Sequence, residues 1–191
     1  MTGVRNAGLA IGRSHINPEP VLTPVFSDNY NRADGGVGAN YSGSGFQIIS
    51  NMCYGSGSFT RGNFYIGNLT ANHYVEFETH ARITNRTGPA MAVRDGYFTG
   101  WHNGSAWVIG TDAMSFGVLA STAESLPALP FKTRLVANGT SIKLYQFTGG
   151  VWVLKVSYTT ATHLTEQLAG VMIDRVSTES FHDNLVVGTV T

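Results

Sequence analysis

The clearest periodicity in the chain runs from Tyr74 to Ile83. There Val75, Phe77, Thr79, Ala81 and Ile83 fall on one side, and Glu76, Glu78, His80 and Arg82 on the other. Successive side chains of a strand point to opposite faces, so this segment predicts a β-strand with one face in a core and one in water. From Phe46 onward similar short runs recur, broken by turn residues. They are Phe46–Ser50, Gly62–Ile66, Pro89–Arg94, Tyr97–His102, Ala106–Ile109, Ser115–Ala120, Lys132–Asn138, Ser141–Thr148, Val151–Tyr158, Gly170–Asp174 and Phe181–Val187. In the run from Val151, the residues Trp152, Leu154, Val156 and Tyr158 share one parity. Asp95-Gly96, Asn103-Gly104, Asn138-Gly139 and Gly149-Gly150 are hairpin signals, because these pairs tolerate the positive φ that tight turns need. Thr159–Gln167 reads as a loop with room for one helical turn. About a dozen strands and almost no helix exceed the strand content of an average domain. Two antiparallel sheets packed face to face, an all-β sandwich, is the economical arrangement.

Residues 1–24 lack both periods, and Pro18, Pro20 and Pro24 forbid a helix through the second half. They predict an extended N-terminal arm that docks against a neighbouring subunit, with residues 25–191 forming the sandwich. The whole is 191 residues, 42% hydrophobic and 13% charged, which suffices for a real core. Lys plus Arg and Asp plus Glu number 12 each, and the basic residues are scattered. No nucleic-acid footprint and no anionic-membrane footprint follow from that balance. Cys53 is the only cysteine, so packing and not a disulfide within the chain must hold the fold. The apolar run Leu9–Ile11 is too short for a secretory signal, and no stretch approaches the roughly 20 apolar residues of a spanning helix. The expectation is a soluble product made in a cytoplasm, without membrane insertion.

Between arm and sheet lies Asp28–Tyr41, DNYNRADGGVGANY, a shaped loop rich in Asn, Asp and Gly. It resembles the D-x-F-N-R-A-D/N-G-x-L-G-x-N-W opening of concanavalin A-like (laminin G-like) jelly-roll modules, common in bacteriophage tail and other surface proteins. Phe181–Gly188 is similar to their closing D-N-F-x-V strand, and the R-L-x-x-x-G-x-x-I-x-L-Y series from Arg134 to Tyr145 to their middle hairpin. Tyr41 stands where those modules carry Trp. The resemblance implies a jelly roll. In many such modules a structural calcium is held by the first loop and last strand, whose counterparts here are Asp28 and Asp183, with Asn29. It further implies a non-enzymatic virion component of minor tail or head-decoration type, made in the host cytoplasm. Its partners would be other virion proteins and copies of itself through the arm, and host-surface glycan would be the candidate ligand.

Sugar binding needs aromatic platforms beside polar groups. Tyr97–Trp107 has the densest mixture, which makes Trp101, His102, Asn103 and Trp107 the candidate carbohydrate contacts. The alternative class is an enzyme. Glu76, Glu78 and His80 sit at i, i+2, i+4 like the E-x-D-x-E strand of jelly-roll glucanases, where paired carboxylates serve a glycoside hydrolase or lyase. The bland reading of the same residues is a solvated face salt-bridged across strands. No G-x-S-x-G, H-E-x-x-H, Walker loop or Cys-His framework occurs, so the expectation is a protein that is not an enzyme. A free carbohydrate-binding module is the remaining alternative.

Overall fold

Short alternating runs joined by tight turns pair readily with their neighbours in the chain, and six of the fourteen strand pairings among the described residues arise that way. The computed structural model describes residues 20–43, 46–55, 61–65, 67–82, 87–93, 96–112, 117–160, 168–173 and 180–191. Sixteen strands and no helix occur among the described residues. In order they are β1 (Leu22–Asp28), β2 (Gly35–Gly36), β3 (Tyr41–Gly43), β4 (Phe46–Ile49), β5 (Met52–Gly55), β6 (Arg61–Tyr65), β7 (His73–Arg82) and β8 (Thr87–Val93). Then follow β9 (Gly96–His102), β10 (Ala106–Asp112), β11 (Gly117–Ala123), β12 (Phe131–Asn138), β13 (Ser141–Thr148), β14 (Val151–Thr159), β15 (Leu168–Ile173) and β16 (Ser180–Val190). Hydrogen bonding sorts them into two antiparallel sheets. The larger runs β14-β13-β12-β7-β16-β5-β4-β2 with β1 on β16, and the smaller runs β11-β10-β9-β8-β15-β6-β3.

Alternation does the rest. Val75, Phe77, Leu135, Ile142, Leu144, Leu185 and Val187 of the larger sheet pack against Phe98, Trp107, Ile109, Ala169 and Val171 of the smaller one in a single buried cluster. The expected antiparallel β-sandwich is what the chain forms. Tight turns fall where the glycines allow them: Thr148 pairs with Val151 across Gly149 and Gly150, whose φ angles of 58° and 84° suit a two-residue turn with both centres left-handed. The expected turn at Asp95 and the loop through residues 161–167 lie outside the described residues.

Two expectations need correction. The arm was expected to extend to residue 24, but the strand β1 begins at Leu22 and runs antiparallel to β16, with Leu22 opposite Val190 and Asp28 opposite Leu185. Val21 and Thr191 add a reciprocal pair of backbone hydrogen bonds at 2.9 and 3.0 Å. Pro24 is tolerated because, among the described residues, β1 pairs on one side only, and the register slips between Pro24 and Phe26. The close approach also explains Gly188, where a side chain would run into the Thr23 carbonyl oxygen and the Tyr74 ring.

The second correction concerns β14. Along β13 the partner changes from Val156 at Leu144 to Leu154 at Tyr145, leaving Lys155 as an extra residue. A bulge of this kind switches the face on which later side chains lie. Val156 therefore joins the core, with Tyr158 packed against it, while Trp152 and Leu154 turn to the opposite face. Strict alternation had placed all four together.

Candidate functional site

The outer face of the larger sheet, away from the smaller one, collects most of the chemistry. The register of β7 and β12 sets Arg134 opposite Glu76 and Lys132 opposite Glu78. Opposite charges directly across an antiparallel pair attract, and both pairs close. Arg134 Nε donates to Glu76 Oε2 at 2.6 Å. Lys132 Nζ lies 3.4 Å and His80 Nε2 3.3 Å from Glu78, and Asn184 Nδ2 donates to the same carboxylate at 3.4 Å. Both carboxylates are salt-bridged across strands, with the Glu76 and Glu78 side chains 22% and 15% exposed.

Aromatic rings border these charges. The Arg134 guanidinium carbon sits 3.9 Å from the Trp152 ring centroid and 5.5 Å from that of Tyr74. Cation–π contact of this kind holds both the arginine and the indole in place. Beneath them Tyr74, Val136 and Val190 form a small buried cluster with Leu22, Tyr145 and Val186 packed against it. Above it a groove of about 430 Å³ is lined by Arg134, Lys143, Tyr145, Trp152 and Leu154 together with Pro20, Leu22 and Val136. A smaller hollow of about 170 Å³ lies on the other side of Trp152, against Glu76, Lys132 and Asn184. The indole has the guanidinium over one ring face and the Phe147 ring 5.2 Å away, tilted at 57°. Its half-buried surface, flanked by hydrogen-bonding groups, borders both hollows, where a ring-shaped polar ligand can pack.

The residues picked from sequence as sugar contacts lie elsewhere. Trp101, His102 and Trp107 are 2%, 1% and 0% exposed, so they cannot offer ring faces to a ligand. Trp107 points into the core, edge-on to His102 and to Phe131. Trp101, on the opposite face of its sheet, packs with Val108 and lies over Gly110, where a side chain would collide with the indole. His102 is a clamp. Its Nδ1 accepts from the Gly104 N–H at 3.0 Å, which leaves Nε2 to donate to the Glu124 carbonyl at 3.0 Å. Asn103 is exposed, but its Oδ1 accepts from the backbone N–H groups of Ser105 and Ala106 and shapes the hairpin turn.

The calcium expectation fares no better on the geometry of its ligands. Both Asp28 oxygens are engaged: Arg32 grips them in parallel at 2.7 and 2.9 Å, Tyr41 Oη donates at 2.7 Å and the Tyr30 N–H at 2.7 Å. Burial alone would raise the Asp28 carboxyl, but the bonds from Arg32, Tyr41 and Tyr30 outweigh it and hold it below its usual range. Asp183, opposite Glu78, accepts from the Asn184 N–H at 2.7 Å. No group of three or more His, Cys, Asp or Glu able to hold a metal ion occurs among the described residues. The residues do not fit a calcium site, because the guanidinium already supplies the positive charge that the ion would bring. Trp152 and Arg134 escaped the sequence reading. The signal that could have found them was the matching polar faces of β7 and β12, once their register was known.

By sequence, no family model and no curated protein matches the chain. Solved structures do resemble it. The carbohydrate binding module CBM66 from Bacillus subtilis superposes with a TM-score of 0.65 at 7% identity, over 78% of this chain and 96% of that one. The GH43 BlXynB protein from Bacillus licheniformis gives 0.62 at 10% identity, over 85% of this chain but only 39% of that one, so this chain spans about two fifths of its length. The VIP36 exoplasmic/lumenal domain in its Ca2+/Man3GlcNAc-bound form gives 0.60 at 7% identity, over 82% and 86%. At such identities the likeness is one of fold alone, the two-sheet antiparallel β-sandwich.

Proposed function

We propose that this chain is a non-enzymatic carbohydrate-binding module whose ligand lies on the outer face of the larger sheet, across Trp152 and Tyr145. The observation that carries this reading is the bulge at Lys155, which turns Trp152 out of the core and into a groove where Arg134 braces it. Bulges commonly re-aim a side chain at a working surface. The sandwich likeness to a carbohydrate binding module and to a mannose-glycan-bound domain supports the same reading. Retardation in native gels cast with soluble polysaccharides is expected for at least one polymer. Trp152→Ala should weaken that retardation on the order of tenfold, the scale of one stacked ring. Retardation unchanged by Trp152→Ala, or none with any polymer, would dismiss the reading.

A second reading, hydrolase or lyase, draws on Glu76 and Glu78, two residues apart on that same face. Their engagement by Arg134, Lys132 and His80 favours a passive surface. New reducing ends released from the same polymers, and lost in Glu76→Gln, would reverse that preference.

The place of action we propose is a virion surface, on the resemblance of Asp28–Tyr41 and Phe181–Gly188 to phage modules. Because β1 begins at Leu22, deleting residues 1–19 removes none of the described strands. That truncation is expected to abolish incorporation into particles while sparing glycan binding. Normal incorporation would remove the arm from any docking role.

A further inference from the structure

Resting on the reading of the Trp152 face as a sugar site, we infer that its ligand carries a negative charge: an acidic sugar residue, carboxylated or sulfated, held through Lys143. Two cations, Arg134 and Lys143, border the groove, and among the described residues no carboxylate lines it. Their charges are disposed differently. Arg134 is neutralised by Glu76, which lies beyond Trp152 in the smaller hollow. Lys143 has no ion pair among the described residues, and its cross-strand neighbours Val136 and Ser157 are uncharged.

The floor matters as much as the rim. Val136 belongs to a buried apolar cluster and the half-buried Leu22 and Tyr145 pack against it, so the low-polarity wall beneath Lys143 weakens the screening of its field. A neutral sugar would stack on Trp152 and hydrogen-bond to Arg134 without needing a second cation. An anionic substituent projecting from a ring on Trp152 would meet the Lys143 ammonium across the groove. The bond is then charge-assisted, the stronger kind, and it confers selection by charge as well as by shape.

The test uses matched polymers in the same gel assay: polygalacturonate against its methyl-esterified form, and dextran sulfate against dextran. The expected result is about tenfold tighter retention of the charged member of at least one pair, collapsing as salt rises from about 0.05 to about 0.5 M. Lys143→Gln should erase that preference and Lys143→Arg should keep it. Preference within the first pair assigns a uronate, and within the second a sulfated sugar. Equal retention of both members, still weakened by Trp152→Ala, would overturn the inference and leave a module for neutral sugar. A preference that survives Lys143→Gln would also overturn it. Retention indifferent to Trp152→Ala would remove the site itself.

Discussion

Replacing Asp28 by alanine is expected to lower the unfolding free energy by about 2–4 kcal/mol, the range for breaking a mostly buried, multiply hydrogen-bonded carboxylate. Asp28 receives four hydrogen bonds from three residues, and each fixes a different piece of the opening loop. The Tyr30 N–H bond holds Tyr30 at φ 52°, a left-handed conformation that a tyrosine otherwise avoids. Arg32 continues to the Val37 carbonyl at 2.7 Å, tying the far side of the loop to the same centre. Tyr41 closes the circuit and lies against Tyr30 and Phe26. Asp28→Asn should cost less than alanine, since it keeps an acceptor and loses the charge. Because the folded carboxyl titrates below its unfolded value, this contribution is complete above the ordinary carboxylate range and is lost as pH falls through the folded value. Urea unfolding with unchanged slope measures the loss. An alanine variant within about 0.5 kcal/mol of the parent, the usual scatter of a surface change, would show that the loop is held otherwise. A rise in melting temperature on adding calcium would return the site to an ion.

The same residues show how far the sequence could be read. The period-2 pattern of Tyr74–Ile83 and the glycine-marked turns were legible because both depend on local geometry alone. The opening loop was legible as a shaped element, since Asn, Asp and Gly announce unusual backbone. Its internal wiring was not. An Asp, an Arg four residues on and a Tyr thirteen residues on can serve an ion or one another, and only their positions decide. Trp101 and Trp107 misled for a related reason: alternation assigns each to a face, but burial depends on what covers that face. Leu22–Asp28 has no hydrophobic rhythm of its own and becomes a strand by pairing with β16. Trp152 was hidden by the Lys155 bulge, a two-strand property that no single-strand pattern records.

Between pH 6.5, the ordinary histidine value, and about pH 4, the protein is expected to lose about 3 kcal/mol of stability through His182 alone. His182 is fully buried in the core edge-on to Phe77, and neither ring nitrogen has a hydrogen-bond partner among the described residues. Burial, reinforced by His80, pulls its pKa down to about 3. In that window the unfolded chain therefore holds one more proton than the folded one, and stability falls as pH falls. The loss is about 1.4 kcal/mol per pH unit. His182→Leu, similar in size and without nitrogens to desolvate, should match or exceed the parent near pH 7 and lack this slope. Other buried histidines, His73 and His102, act on parent and variant alike and cancel in the difference between them. Unfolding free energies of the two proteins, measured at half-unit intervals, should diverge steadily below pH 6.5. Parallel curves would mean that His182 takes up its proton without unfolding, which would require water or a hydrogen-bonding group to reach it inside the sandwich.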